Sequence, residues 1–402
     1  MSLDPSEAAA LEPLIPLHCL RAMDPAPPTL TELRTGTPAY LVRRHADVRQ
    51  VLTDPRLDRS GLFAPDAPPL TPYPNLLDSP DTILSVDGVE HQRLRRTVQR
   101  AFTPRAIERW RPWVASVVED LVSRLSDAEQ PADLVALLAR PLPVAVISRL
   151  MGLEDVDLKR LAYWSDHALS ASAYTPAQVQ EAILDFAGFG AALVAKRRAD
   201  PGDDLVSSLV LAADQDGEVT QDQIVMLVIG LVVAGHETTM TSLSNALVYL
   251  LSEDRAAWQA LAGDEQRAGA ATEQLLRGIP LGENDVLPGT LRRAREDVEI
   301  GGVLIPAGSV VAADTFAANH DPEVFPTSWR EQLFEPPGTP HLTFGAGPHH
   351  CLGAWLARLE LELALHRLAR RLPGLRLTVP VEEIDWRRGL MTRCPQTLPA
   401  AW

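Results

Sequence analysis

Ten residues from Phe344 to Gly353, Phe-Gly-Ala-Gly-Pro-His-His-Cys-Leu-Gly, carry the most specific chemical signal in this chain. Glycines permit tight or left-handed turns that other residues resist, so such a loop can bring backbone N–H groups close to one sulfur. A strongly helical run starts at Ala354. Cys351 therefore sits at the N-terminal edge of a helix, where the dipole and the unpaired amides favour an anion. A cysteine held there is biased toward thiolate, a soft ligand for a metal or a haem iron. A zinc site would need further ligands at paired spacing. Cys19 and Cys394 are isolated, which sets zinc aside.

A second stretch places an acid and two hydroxyls after a glycine within an apolar helical run: Ala234-Gly235-His236-Glu237-Thr238-Thr239. Thr220 and Gln223 form a capping-box start for this helix. From Ile224 to Gly235 it is apolar on every face, which predicts burial of its first half. Over 221–251 it would span roughly 45 Å. A threonine can hydrogen-bond the carbonyl four residues back, here Ala234 for Thr238, and loosen the turn.

A third set is basic. His91 and Arg95 are four residues apart and share one helical face. Arg292 stands in the run Arg292-Arg293-Ala294-Arg295, and His349 lies inside the cysteine loop. Seven arginines fall between positions 93 and 111, a local basic patch in a chain of net charge −16.

Together these stretches resemble the cytochrome P-450 family. The loop matches F-G-x-G-x-H-x-C-x-G at Phe344, Gly345, Gly347, His349, Cys351 and Gly353. The helix matches [AG]-G-x-[DE]-T-[ST], and His91 to Arg95 matches H-x-x-x-R. The resemblance runs from about residue 39 to the end. It implies haem b with Cys351 as axial metal ligand, and His91, Arg95, Arg292 and His349 around the propionates. It implies that Ala234 and Gly235 border the oxygen site, Gly235 leaving room in a local bulge. Glu237 and Thr238 would be the catalytic acid–alcohol pair; cleaving dioxygen needs protons, and such a pair can supply them. By the same resemblance the arginine patch is a docking face for a ferredoxin-type donor, charge steering the encounter.

One departure stands out. The family's E-x-x-R helix reads Glu273-Gln274-Leu275-Leu276-Arg277, with an amide where the acid belongs. The later arginine of that triad maps to Arg330, followed by Glu331 rather than an aromatic. Arg277 and Arg330 are expected to pack against Gln274. Glu273 is a second candidate partner for Arg277 at i,i+4.

Composition fits a globular protein, and the negative charge argues against nucleic acid as a partner. Unpaired cysteines suggest a reducing compartment. The acidic N-terminus does not read as a signal peptide, and the longest apolar run is too short to span a bilayer. The expectation is a cytoplasmic protein without a membrane anchor. Helical patterns cover 90–101, 105–126, 131–151, 155–170, 176–199, 203–214, 221–251, 255–262, 265–278 and 353–371. Strand-like patches are short, near 297–300, 303–305, 309–313, 375–379 and 396–399, and 39–52 reads as a strand followed by a helix. The fold class is mainly α, one domain over 1–402, with small sheets around a buried haem and an extended N-terminal segment, 1–38.

The reaction implied is insertion of one oxygen atom from dioxygen into an organic small molecule, with electrons from NAD(P)H through ferredoxin and its reductase. Two alternatives stay open: oxidative coupling or ring formation without oxygen insertion, and a non-catalytic assembly partner. The implied pocket takes in the proline-rich 60–80 loop, Trp164 to Tyr174, Val233 and Ala234, Ile279 to Asn284, and Leu390-Met391. These residues suit a bulky, largely apolar secondary metabolite.

Overall fold

The helix capped by Thr220 organises the molecule. In this computed structural model it runs unbroken from Gln221 to Ser252 as α9. The Thr220 hydroxyl accepts from the Gln223 N–H at 3.2 Å, and the Gln223 side chain accepts from the Thr220 N–H at 3.0 Å. The structure describes residues 14–71, 79, 82–153, 156–282 and 290–402. By length and composition α9 could cross a membrane, but 67% of its apolar window is buried inside the protein. It is the core helix, and burial extends through its second half as well as its first.

Around it stand α1 (His45–Thr53), α2 (Gly88–Val98), α3 (Pro104–Glu108), α4 (Arg111–Ser126), α5 (Pro141–Met151), α6 (Leu158–Ala168), α7 (Pro176–Ala199) and α8 (Leu205–Asp216). After α9 come α10 (Arg255–Leu261), α11 (Glu265–Gly278), α12 (Thr315–Ala318) and α13 (Ala354–Arg371). α5, α7 and α13 pack directly on α9. The span expected as one helix over 105–126 divides at Arg109-Trp110, with Pro112 opening α4. The span 131–151 also divides, because Pro141 and Pro143 restart the backbone as α5 after a π-helical turn at Val135–Ala139.

The larger sheet has strand order β1-β2-β8-β5-β3: β1 (Thr29–Glu32), β2 (Pro38–Val42), β3 (Leu57–Asp58), β5 (Thr290–Ala294) and β8 (Val310–Ala313). Only the β2–β8 pair among them is parallel. β4 (Ala132–Asp133), β9 (Arg376–Leu377) and β10 (Pro399–Ala401) form a second sheet, and β6 (Val298–Ile300) and β7 (Val303–Ile305) a hairpin. Gly301 and Gly302 turn that hairpin with φ of 55° and 80°, the left-handed pair a two-residue turn needs. β1 lies inside the segment expected to be merely extended, and β5, which carries Arg292, went unpredicted.

Candidate functional site

The cysteine loop is a backbone construction. Gly345 and Gly347 have φ of 71° and 70°. A Cβ on Gly347 would stand 2.6 Å from the Leu52 carbonyl, so α1 presses directly on the loop. The Cys351 N–H donates to the Phe344 carbonyl at 2.9 Å and closes the turn. The Phe344 ring lies under the Arg358 guanidinium of α13, 4.5 Å away. Gly353 differs: its φ is −79°, and a Cβ there would meet nothing of the chain within 4 Å. The polypeptide itself therefore gives no reason for glycine beside the sulfur.

Solvent reaches Cys351, yet enough protein surrounds it that burial pushes the thiol pKa up. The Gly353 N–H, Arg95, Arg358 and the Ala354 N–H pull the other way without prevailing. This corrects the expected bias toward thiolate: helix-edge electrostatics are present but desolvation outweighs them. A coordinated metal would remove that proton outright.

Beside the loop, α2 and β5 bring the predicted basic groups together. The His91 and His349 rings lie 4.2 Å apart. His349 Nε2 is 2.9 Å from Asp87 Oδ1, while its Nδ1 is buried and without a partner. Arg292 is 2% exposed, and its hydrogen bond goes to the neighbouring Leu291 carbonyl at 2.9 Å. It has no carboxylate at ion-pair distance among the described residues. Burial draws Arg292 down to about 9 and, with help from His349 and Arg95, His91 to about 4. Arg95 donates to the His350 carbonyl at 2.8 Å, tying α2 to the loop. Burial alone would raise the Asp87 carboxyl. Hydrogen bonds from His349 and from the Ser60 and Arg59 N–H groups overcome that and hold it well below the usual range.

This is a buried arginine without an ion-pair partner beside two histidine rings that burial drives toward the neutral form, with one carboxylate on the far side of His349, a poor arrangement for a polypeptide alone. It suits a group bearing two carboxylates. Asp87 was not singled out from the sequence; it precedes α2 without belonging to a motif.

On α9, beyond its exposed first turn, one stripe is open: Met226, Gly230, Leu231, Gly235, Thr238 and Ser242 are half-buried and Ala234 is exposed. The Thr238 hydroxyl donates to the Ala234 carbonyl at 2.8 Å, as expected. The expected bulge at Gly235 is not seen, because the helix is continuous there. A Cβ on Gly235 would come 2.7 Å from Ile147 Cδ1, so this glycine serves the close approach of α5. Glu237 is 2% exposed and turned into the protein, where Oε1 accepts from Arg387 at 2.6 Å and from Thr392 at 3.2 Å.

Three of the expected pocket segments converge. The N–H groups of Ala171, Ser172 and Ala173 all donate to the Gly389 carbonyl, and the Met391 N–H to Leu169. The Arg393 N–H donates to the Leu281 carbonyl at 2.8 Å. Trp164 is an exception: it is buried against Phe186 and Phe189, its indole donating to Asp185. Residues 72–78, 80, 283 and 284 of the expected pocket lie outside the described residues.

The departure at Gln274 is resolved differently from expectation. Gln274 is fully buried; its Oε1 accepts from Arg277 Nε at 2.8 Å and its Nε2 donates to the Glu335 carbonyl at 2.7 Å. Arg277 completes its set on the carbonyls of Asn319 and Thr327 and the face of Phe325. Arg330 does not join them. Trp329 occupies the space over Gly278 at the end of α11, where a Cβ would meet the indole at 2.2 Å. Arg330 is carried outward to Glu253 (2.7 Å) and the His18 carbonyl (2.6 Å). Nor does Glu273 reach Arg277; it pairs with Arg358 at 2.6 Å and His341 at 3.2 Å.

A cytochrome P450 family model matches residues 284–377. The mycinamicin IV hydroxylase/epoxidase of Micromonospora griseorubida is 41% identical, covering 91% of this chain and 90% of that protein. The nocardicin C N-oxygenase of Nocardia uniformis subsp. tsuyamanensis is also 41% identical, over 95% and 94%. The chain belongs to the cytochrome P450 family. As a P450 monooxygenase it is an oxidoreductase, and the family implies haem. The solved structure of HinD with NMFT and NO superposes with a TM-score of 0.86, at 37% identity, covering 100% of this chain and 96% of that one. The main-α fold with small sheets is thus that of the P450s.

Proposed function

We propose that this P450 holds haem b through Cys351 and inserts one oxygen atom of dioxygen into a bulky, largely apolar small molecule of secondary metabolism. The observation that carries this reading is the buried Arg292, without an ion-pair partner among the described residues and flanked by the donors of His91 and His349, beside an accessible cysteine loop. His91, Arg292 and His349, with Arg95 at the edge, would hold the propionates, and Gly353 would let the macrocycle lie close to the loop. When bound, the haem supplies oxygen activation, with thiolate donation favouring O–O cleavage. Thr238, on the partly exposed stripe of α9, offers hydroxyl lone pairs to water while its proton rests on Ala234. Glu237 lies next to it as the acid.

In this reading electrons come from NAD(P)H through ferredoxin and its reductase. Arg96, Arg100, Arg105 and Arg109 support a docking face: all are exposed, and none has a carboxylate partner among the described residues. Arg93 and Arg111 are engaged by Asp216, Glu218, Glu108, Glu265 and Glu362. The chain works as one cytoplasmic domain; its main apolar core draws on residues from Leu17 to Ala400.

The relay is tested with Thr238→Ala. Mycinamicin IV and nocardicin C, the compounds in the relatives' names, start a spectral screen for substrates that displace iron-bound water. With a hit in hand, the variant should fold and bind haem normally, lose about tenfold in product per NAD(P)H, and release peroxide instead. Unchanged coupling would remove Thr238 from proton delivery.

A further inference from the structure

The two oxygens of Glu237 have different surroundings. Oε1 accepts from Arg387 Nη1 at 2.6 Å and from the Thr392 hydroxyl at 3.2 Å. Oε2 faces His236 Nε2 at 3.7 Å. The other ring nitrogen of His236, Nδ1, lies 3.3 Å from the Val232 carbonyl. A carbonyl can only accept, so Nδ1 carries the hydrogen, and in the neutral ring Nε2 turns a lone pair toward Oε2. Two lone pairs in that position repel while the carboxyl is ionised, and Oε2 has room there to take up a proton.

Arg387 is itself tightly fixed. Its Nη2 bonds Asp166 of α6, and its Nη1 lies 3.9 Å from Cys394 Sγ. The Arg387 N–H donates to the Cys394 carbonyl at 3.0 Å, and the loop is stitched to 171–173 through Gly389. Gly389 has φ 71°, and a Cβ there would stand 2.7 Å from the Ala173 nitrogen, so the stitch requires glycine. His236, Asp166, Cys394, Arg140 and Tyr174 are the remaining titratable or charged groups facing this cluster.

We propose that Arg387 is the positioning residue of Glu237. It keeps the carboxyl ionised and pins Oε1, so that Oε2, on the His236 side, is the oxygen that takes up and releases the relayed proton. Asp166 anchors the far side of the guanidinium and Thr392 fixes the angle of approach. This assignment rests on the reading that Glu237 serves proton delivery. A merely structural Arg387 would tie α6, α9 and the C-terminal loop together without setting the protonation state of Glu237.

Infrared difference spectra of the full-length, haem-loaded protein near neutral pH distinguish the two. Wild type minus Glu237→Gln should show a lost carboxylate and no protonated-carboxyl band. Arg387→Gln should gain a protonated-carboxyl band, and the part due to Glu237 should vanish in Arg387→Gln/Glu237→Gln. A Glu237 that is protonated in the wild type, or still ionised in a folded Arg387→Gln protein, would overturn the proposal. The wild-type arm needs no Arg387 variant, so a protonated Glu237 there overturns the proposal even where Arg387→Gln fails to fold. The relay is tested separately: unchanged product yield in Glu237→Gln would remove the relay, whereas the infrared result alone bears on the clamp.

Discussion

Two buried arginines, Arg277 and Arg292, are each 2% exposed, and their surroundings are opposite. Arg277 is closed. Its donors end on the side-chain oxygen of Gln274 and two backbone carbonyls, and its face lies on Phe325. Arg292 is open. Its hydrogen bond reaches the adjacent carbonyl; Arg59 repels it, the His91 and His349 rings beside it are driven toward the neutral form, and the Asp87 and Asp58 carboxylates act on it only from beyond ion-pair distance. Burial lowers both, Arg277 to about 10 and Arg292 to about 9. The difference is one of purpose: a buried charge whose partners are all in the chain holds the fold, and one whose partners are missing is built for a ligand.

The largest effect is expected at Arg277. Arg277→Ala strips Gln274, Asn319 and Thr327 of their donor in the core and should cost about 3 kcal/mol or more, read as a fall in thermal midpoint and in haem content. An unchanged midpoint would show that the closed set is not structural. Arg292→Met should act in the other sense on the haem-free protein, which would keep or gain about 1 kcal/mol on losing an uncompensated buried charge. The haem-loaded protein should release haem roughly tenfold faster, the loss of one charge-assisted contact. Equal destabilisation with and without haem would place Arg292 among the structural arginines and erase the contrast.

Gln274→Glu has the smallest expected effect. A carboxylate would strengthen the bond to Arg277 by roughly 1 kcal/mol. The same change removes the amide donor that Glu335 accepts at 2.7 Å and sets oxygen against oxygen. The two should nearly cancel, leaving the thermal midpoint within a few degrees. A clear gain would mean that the amide is a defect. No change fits an amide that serves two neighbours.

Much of this was legible in the sequence because local chemistry dictates it. Thr220 with Gln223, the glycines at 345 and 347, and the hydroxyl of Thr238 four residues past Ala234 act on their own neighbourhoods, and they do as their types predict. Misreadings came where distant packing decides. Gly235 looked like room for a ligand and is also occupied by Ile147. Arg330 matched by position, but the bulk of Trp329 over Gly278 turned it away. Glu273 sat at helical spacing from Arg277, yet Arg358 and His341 on other elements compete better. Arg387, Asp166 and Asp87 carry no motif at all; their roles arise when loops far apart in sequence meet.

In the proposed arrangement Cys351 holds the haem iron through sulfur while the open Arg292 and its two histidines hold the propionates. Burial raises the Cys351 thiol in the protein itself, and a coordinated metal removes that proton. The most direct measurement is the Soret band of the freshly purified protein after reduction and addition of carbon monoxide. The wild type should give the strongly red-shifted band of thiolate ligation, and Cys351→Ser should lose it. A band at the position typical of histidine ligation, in undenatured wild-type protein, would contradict it.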